Sequence, residues 1–194
     1  SYDIIDPALA ERLRTTLLRG EQTPATGVLP SLGHWCYFQS PAPADLLGED
    51  GHPQRGGFLP PIALPRRMWA GGSLEFLAPI PIGATLSCHS TIGSIQTKEG
   101  RSGKLVFVSI THDYWQEETK LITERQDLVF REAAIKGNTA SANNKTTTLP
   151  PPEETPTPLH SQTLRGDAVT LFRFSALTFN SHRIHYDRDC TVQV

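Results

Sequence analysis

The chain has 194 residues, of which 38% are hydrophobic, and this is enough apolar material for a folded core. The formal net charge of -2 argues against a nucleic-acid-binding protein, which usually presents a basic face. No apolar run approaches the roughly 20 residues of a membrane span, and the first residues lack the basic and apolar regions of a secretory signal. The three cysteines are widely and irregularly spaced, which argues against a disulfide framework or zinc site, so we expect a reducing, cytoplasmic compartment (mitochondrial in a eukaryote).

The first part of the chain predicts a helix over residues 6–19. Asp6 can cap this helix and Pro7 suits its first turn, and apolar residues follow at helical spacing. A stretch rich in proline and glycine continues to about Pro65 and contains an aromatic cluster at 35–38. Such a length is unusual for an idle loop, so we expect this stretch to wrap or line something. The aromatic side chains of Trp35, Tyr37 and Phe38 could line a pocket, but such clusters more often belong to the core, which is what we expect here.

Four runs after Gly72 are rich in β-branched and aromatic residues and are separated by turn signals, which predicts antiparallel strands. These runs are Ser73–Leu77, Thr85–Gln96, Leu105–Trp115 and Leu121–Phe130. Together with the helix, they predict an α+β fold in which an antiparallel sheet packs against a helix on one face.

Residues 133–158 differ in composition from the rest, because Asn, Thr, Ser, Ala and Pro dominate and aromatic residues are absent. This composition predicts a linker, flexible in its first half and stiffer where proline accumulates. We therefore divide the chain into a first unit at 1–132, the linker, and a second unit at 159–194. In the second unit, Ser161–Leu164 and Thr170–Phe174 predict strands.

The end of the chain concentrates polar groups behind an apolar segment. Asn180, His182 and His185 supply an amide and two imidazoles, and such groups are costly to bury without partners. This pattern favours a site, although a satisfied structural pair of histidines also fits the chemistry. Ser175 and Thr178 lack the Gly-x-Ser-x-Gly context of a nucleophile, so we expect them to bond to the backbone.

The run Arg173–Asp187, with the sequence RFSALTFNSHRIHYD, resembles the signature of the MaoC-like double hot-dog acyl-thioester hydratases and dehydratases. Segments at Gly56–Pro61, Leu64–Gly72 and Glu99–Val108 are similar to the first repeat of one branch of this family. That branch contains the mesaconyl-C4-CoA (3-methylfumaryl-CoA) hydratases and is related to the fungal type 2 hydroxyacyl-thioester dehydratases. The resemblance implies two hot-dog units, in which the first shapes the acyl pocket and the second carries the catalytic residues.

The activity implied by the resemblance is reversible addition of water to the C2–C3 double bond of an enoyl-CoA thioester. The implied substrate is mesaconyl-C4-CoA, which would give citramalyl-CoA. Coenzyme A arrives with the substrate, no metal or redox cofactor is implied, and we expect a homodimer. Two alternatives remain open: a 3-hydroxyacyl-thioester dehydratase of fatty-acid synthesis, and a non-catalytic remnant that binds an acyl thioester or pairs with another subunit.

Hydration needs a base for the attacking water and a proton for C2. In the wider family, an Asp and a His five residues apart hold the water, and Asn180 stands at the position of that Asp. An amide does not titrate, so proton transfer would fall mainly on His185. Asn180 would orient the water, and His182 would act as a second relay or an orienting partner.

Arginines supply the candidate contacts to the substrate. Arg66 and Arg67, beside Trp69, suit the phosphates of coenzyme A, although a solvated basic pair next to a buried Trp is the alternative. A dicarboxyl substrate also needs a cation for its free carboxylate, and Arg173 or Arg183 could serve.

The remaining histidines are scattered, and we assign none of them a role: His34, His52, His89, His112 and His160. A metal site at His182-x-x-His185 is not predicted, because no cysteine or carboxylate accompanies it at a familiar spacing. Residues 159–194 would supply only the opening of a second hot-dog unit. We therefore expect that unit to be incomplete and the chain alone to be weak or inactive.

Overall fold

The computed structural model describes five stretches of the chain: 1–17, 27–54, 56–100, 103–132 and 166–189. The strands are β1 (Tyr2–Ile4), β2 (Arg66–Phe76), β3 (Thr85–Gly100), β4 (Gly103–Gln116) and β5 (Thr119–Arg131). The helices are α1 (Pro7–Leu17) and α2 (Ala168–Leu177), with short 3₁₀ turns at Gly33–Cys36, Ala44–Leu46 and Arg183–His185.

The strands form one antiparallel sheet in the order β1-β3-β4-β5-β2. Its three central strands are consecutive hairpins, as the spacing of the apolar runs predicted. The edge strand β2 begins at Arg66, six residues before the predicted change of pattern at Gly72. Strand β2 is longer than predicted because it pairs with β5 from Arg66, opposite Arg131, onwards. The first residues of β2 do not alternate between apolar and polar side chains, so the sequence pattern could not reveal them.

Helix α1 confirms the predicted helix near the start of the chain. Asp6 caps it, because the backbone N–H of Leu9 donates to Asp6 Oδ1 at 2.7 Å. Its buried face includes Ala10 and Leu13, which join strand residues such as Leu86 in one apolar cluster. This packing is the predicted arrangement of a helix on one face of an antiparallel sheet.

A second apolar cluster is built from the alternating positions of the central strands. Its buried members are Val106, Val108, Ile110, Leu128 and Phe130. Leu59, Ile62 and Leu64 from the proline-rich stretch pack against it, so this stretch covers the sheet, as its length predicted.

The aromatic cluster at 35–38 belongs to the core, as expected. Tyr37 is buried and Phe38 packs against the cluster around α1. The indole N–H of Trp35 donates to the carboxylate of Glu124 at 3.1 Å. The neighbouring His34 is buried and lies 3.1 Å from the same carboxylate.

The predicted strand at Thr170–Phe174 is wrong, because these residues lie in α2. The Asp167 side chain accepts from the backbone N–H of Thr170 at 2.8 Å and so caps the helix. Phe174 and Leu177, three residues apart, pack against the α1 cluster, so helical spacing buries the apolar side chains. Apolar and aromatic composition alone could not separate a short helix from a strand.

The hydroxyl groups of Ser175 and Thr178 bond to the backbone, as expected. Ser175 Oγ donates to the carbonyl of Leu171 at 2.7 Å, and Thr178 Oγ1 donates to that of Phe174 at 2.9 Å. The predicted strand at Ser161–Leu164 and the linker lie outside the described residues. The division into two units stays a prediction.

The described residues also bear on the expectations about disulfides and membrane spans. Cys36 and Cys88 are free thiols, and burial raises the pKa of Cys36 to about 11. Among the helices described, none has both the length and the apolar character needed to cross a bilayer.

Candidate active site

A cavity of about 880 Å³ opens between the sheet, the stretch around residues 49–69 and the segment after α2. This volume lies within the range of small-molecule and cofactor sites. With the exception of Arg173, the residues that the sequence suggested for catalysis or substrate binding line this cavity: Asn180, His182, His185, Arg66, Arg67, Trp69 and Arg183. The cavity also holds two histidines without a predicted role, His52 and His112.

The segment after α2 folds back so that Asn180 meets His185. The amide Oδ1 of Asn180 accepts from the backbone N–H of His182 at 3.0 Å, and its Nδ2 lies 3.1 Å from His185 Nε2. Because the backbone N–H of His182 can only donate, the amide atom that it contacts must be the oxygen, and the atom facing His185 must be the nitrogen. Asn180 therefore donates to His185, and the spacing of five residues does bring the two side chains together.

His182 lies beside this pair and caps the 3₁₀ turn at Arg183–His185. Its Nδ1 accepts from the backbone N–H of Ile184 at 3.1 Å. In the neutral ring the proton must then be on Nε2. The ring centroid lies 6.5 Å from that of His185, with the two rings nearly perpendicular.

A turn from the first part of the chain docks onto this segment. The carbonyl of Asp50 accepts from the backbone N–H of Arg183 at 3.0 Å, and that of Gly51 accepts from Ser181 Oγ at 2.5 Å. Gly51 has φ +82°, and a Cβ at this position would lie 2.0 Å from the carbonyl oxygen of Ser181. Only glycine fits so close an approach.

The docked turn brings an unpredicted pair of side chains into the cavity. Asp50 Oδ1 accepts from the backbone N–H of His52 at 3.0 Å, and its Oδ2 lies 3.2 Å from His52 Nδ1. The ring centroid of His52 lies 4.6 Å from that of His182. The Asp-x-His spacing was the available signal, but no feature of the sequence indicates that this turn meets the segment after α2.

The electrostatics of the cavity favour the neutral forms of His52 and His182. Burial lowers the pKa of His52, the positive charge of Arg67 lowers it further, and Asp50 opposes both. Burial likewise lowers the pKa of His182. Burial opposes ionisation of Asp50, but hydrogen bonds from His52 outweigh it and hold the pKa of Asp50 below its usual value.

The arginines differ in their surroundings. Arg183 donates through Nε to Asp187 at 3.0 Å, so a neighbouring carboxylate offsets part of its charge. Arg173 is exposed on α2 and does not line the cavity, which leaves Arg183 as the better of the two candidates for a substrate carboxylate. Trp69 is 52% exposed rather than buried, and its ring meets Trp35 edge to face at 5.8 Å.

His112 reaches the cavity from β4 and was also missed. Its Nδ1 lies 2.7 Å from Ser90 Oγ, and burial lowers its pKa. It stands opposite Glu124 in the register of β4 and β5. No sequence motif marks this residue, because its place in the cavity depends on strand pairing.

Donor atoms of Asp50, His52 and His182 lie within 4.8 Å of one another, a spacing that a cation would need. Hydrogen bonds already engage the carboxylate of Asp50 and Nδ1 of each imidazole. Hydrogen bonds within the protein therefore already account for the way these three side chains are held. The absence of a metal from the site stays a prediction.

Comparison with known proteins shows which family this chain matches. The family model described as hydroxyacyl-thioester dehydratase type 2 matches residues 32–194. Mesaconyl-C(4)-CoA hydratase from Chloroflexus aurantiacus is 46% identical over 167 residues, which make up 84% of this chain and 56% of that protein. The mitochondrial hydroxyacyl-thioester dehydratase type 2 of Schizosaccharomyces pombe is 25% identical over 167 residues, or 79% of this chain and 56% of that protein.

Among solved structures, HtdX from Mycobacterium tuberculosis matches with a TM-score of 0.54 at 13% identity, over 99% of this chain and 67% of that one. At this identity the likeness concerns the fold alone, and it agrees with the hot-dog fold that the family resemblance implied. The chain spans about half the length of the curated relatives it matches. Because the family model covers most of its length, the chain belongs to the hydroxyacyl-thioester dehydratase type 2 family.

Proposed function

We propose that this chain is part of an enzyme that adds water reversibly to the C2–C3 double bond of an enoyl-CoA thioester. One observation carries the proposal: Asn180 and His185 are hydrogen-bonded at 3.1 Å in the wall of a cavity that also holds three further imidazoles. Proton transfer to and from water at neutral pH is the chemistry that imidazoles suit best. The names of both curated relatives, a hydratase and a dehydratase, support this reaction class.

The cavity also supplies donors for the charge that develops during hydration. Attack on C3 moves electrons onto the thioester oxygen, and donors in a water-poor pocket stabilise that oxygen. His182 offers its Nε2–H, since its Nδ1 is an acceptor, and Asn180 retains a second amide N–H. In this proposal the thioester carbonyl lies against these two residues.

A short dicarboxyl thioester is the substrate class that we propose, with mesaconyl-C4-CoA as the substrate and citramalyl-CoA as the product. Arg66, Arg67 and Arg183 line the cavity, and guanidinium groups suit both coenzyme A phosphates and a free carboxylate. The half-exposed ring of Trp69 offers an apolar surface beside them. The 46% identity to the Chloroflexus hydratase supports this choice.

We further propose that coenzyme A enters only as part of the substrate, and that the enzyme is a cytoplasmic homodimer. The two free, buried thiols support a reducing compartment. Light scattering on the purified protein measures the oligomeric state directly.

The alternative within the same class is a 3-hydroxyacyl-thioester dehydratase acting on straight chains, and the Schizosaccharomyces relative favours it. A substrate panel separates the two. The full-length gene product that carries this sequence is mixed with mesaconyl-C4-CoA or with straight-chain 2-enoyl-CoA thioesters, and loss of the enoyl thioester is followed. We expect the dicarboxyl thioester to have the highest kcat/KM.

The control for this panel is His89→Gln, a substitution on the exposed face of β3 away from the cavity. A folded protein that hydrates none of these thioesters would overturn the proposed function and favour a non-catalytic, thioester-binding role. Equal turnover by straight-chain and dicarboxyl thioesters would reject the substrate class alone. The 194-residue chain, assayed beside the full-length product, tests the expectation that it is weak or inactive alone.

A further inference from the structure

Three of the imidazoles that line the cavity lie close together, because the ring centroid of His182 is 4.6 Å from that of His52 and 6.5 Å from that of His185. A general base needs an unshared lone pair on a ring nitrogen that reaches the cavity. The hydrogen bonds of each ring decide which nitrogen carries the proton in the neutral form, and they differ among His52, His182 and His185.

The ring of His185 has its Nε2 lone pair engaged. Asn180 donates to this nitrogen at 3.1 Å, and Asn180 cannot simply turn its amide, because its oxygen accepts from the backbone N–H of His182. The proton of neutral His185 is then on Nδ1. His185, which the sequence favoured as the base, is arranged here as a partner of Asn180.

The ring of His182 has its other nitrogen engaged. The backbone N–H of Ile184 donates to Nδ1 at 3.1 Å, which leaves the proton on Nε2. The remaining nitrogen of His182, Nε2, is therefore an N–H donor and offers no lone pair. It suits a carbonyl oxygen better than a water that must lose a proton.

The ring of His52 has the opposite arrangement. Its Nδ1 lies 3.2 Å from Asp50 Oδ2, and a carboxylate can only accept, so Nδ1 carries the proton. The Nε2 lone pair has no hydrogen-bond partner among the residues that the structure describes. The carboxylate also stabilises the positive charge that appears on this ring when Nε2 is protonated.

We propose that His52, oriented by Asp50, is the general base of the hydration, which rests on the proposed function. In this step the O–H bond of water breaks, its proton goes to His52 Nε2, and its oxygen bonds to C3. The π electrons of C2–C3 move into the thioester as an enolate. The imidazolium of His52 then returns the proton to C2, so that one water has been added and the ring is neutral again.

The surroundings of His52 suit this role. It faces Asp50 on its own turn, Arg67 on β2 and His182 on the segment after α2. Burial and the charge of Arg67 lower its pKa, so the ring is neutral and able to accept a proton at neutral pH. Docking of the Gly51 turn onto Ser181 keeps it at the wall formed by Asn180 and His182.

The test compares four variants of the full-length gene product with mesaconyl-C4-CoA as the substrate: His52→Gln, His52→Ala, Asp50→Asn and the control His89→Gln. We expect His52→Gln to lower kcat by about 100-fold or more with little change in KM. Asp50→Asn turns an amide donor towards Nδ1, forces the ring proton onto Nε2, and also lowers kcat. Added imidazole should restore part of the activity of His52→Ala, since the truncation opens space at the cavity wall.

Each outcome decides between the two proposals. If the wild-type protein and His52→Gln turn over equally, His52 is not the base, while the hydratase function stands. If His52→Ala loses activity but imidazole gives no rescue and His52→Gln keeps its acidic pH limb, the residue is structural and the inference fails. A wild-type protein that is inactive on every enoyl thioester overturns the proposed function itself.

Discussion

The side-chain amide of Asn180 donates a hydrogen bond to Nε2 of His185 over 3.1 Å. The direction of this bond is set by the backbone N–H of His182, which donates to the amide oxygen. One backbone group thus fixes the tautomer of an imidazole in the cavity wall. The pairing therefore sets which ring nitrogen of His185 donates and which accepts, and it leads to the first prediction.

Asn180→Asp should reverse the tautomer of His185. The carboxylate keeps one oxygen for the backbone N–H of His182 and turns the other towards Nε2, which must then carry a proton. Nitrogen NMR of labelled protein distinguishes the two tautomers, with the exposed His89 as the internal reference. An unchanged tautomer would contradict the hydrogen-bond assignment at Asn180.

Gly51→Ala should undock the turn that carries Asp50 and His52. The new Cβ would lie 2.0 Å from the carbonyl oxygen of Ser181, and φ is +82°, a region that costs a residue with a side chain about 1–2 kcal/mol. We expect a lower free energy of unfolding and a large loss of hydratase activity, measured by denaturant titration and by turnover.

The matched control for Gly51 is Gly83→Ala. Gly83 has φ +89°, but nothing lies within 4 Å of an added Cβ, so this variant carries the backbone strain without the clash. It should lose some stability and keep its activity. Equal effects of the two substitutions on turnover would mean that docking of the turn is unimportant for the site.

Phe174→Ala should destabilise the protein by about 2 kcal/mol, roughly half the cost at a fully buried position. Phe174 packs on the α1 cluster, whereas Phe172 on the same helix is 73% exposed. Phe172→Ala is therefore the control and should change stability little. In the strand predicted from the sequence, these two residues would share one face, so similar losses for both would favour a strand over α2.

Glu124→Gln should test the buried cluster around His34. Burial opposes ionisation of Glu124, but hydrogen bonds and charge from His34, with a further bond from Trp35, hold its pKa below the ordinary value of 4.5. A lowered carboxyl pKa contributes stability that is present above pH 4.5 and is lost as pH falls through the folded pKa.

We therefore expect Glu124→Gln to lower the free energy of unfolding by about 3–5 kcal/mol at neutral pH, because a buried partner is removed. The difference from the wild type should narrow below pH 4.5. The exposed Glu75→Gln is the control. A gap between wild type and Glu124→Gln that does not change with pH would show that the ionised carboxylate adds nothing to the stability of this cluster.

The acidic limb of the kcat/KM profile should report His52. Its pKa is lowered by burial and by Arg67, so activity should persist below the ordinary imidazole value of 6.5 and fall only when the ring gains a proton. Asp50 raises this pKa, and its neutralisation in Asp50→Asn should move the remaining limb to lower pH. A limb that stays in place in Asp50→Asn would point to another group.

The sequence predicted those parts of the fold that depend on local signals. The cap at Asp6 located α1, and the alternating apolar runs located β3, β4 and β5. It missed the start of β2, which exists because β5 offers a partner, and it mistook α2 for a strand, since ten residues rich in apolar and aromatic side chains fit both structures.

The site followed the same rule. Asn180, His182 and His185 lie close together in sequence, and the structure brings all three into the wall of one cavity, while their catalytic roles stay a prediction. His52 meets them only through a contact such as that of Ser181 with Gly51, 130 residues apart in the chain. His112 lines the cavity because the pairing of β4 with β5 determines where its side chain lies. Residues brought together by long-range packing leave no motif for a single sequence to reveal.

The most direct measurement is hydration in water enriched in heavy oxygen. The full-length gene product is incubated with mesaconyl-C4-CoA, and the thioesters are analysed by mass spectrometry. We predict one added water, with the heavy oxygen in the new hydroxyl group at C3, and slow addition by His52→Gln under the same conditions. Recovery of unchanged thioester from folded wild-type protein, with this substrate and with straight-chain enoyl thioesters, would contradict a hydratase site in this cavity.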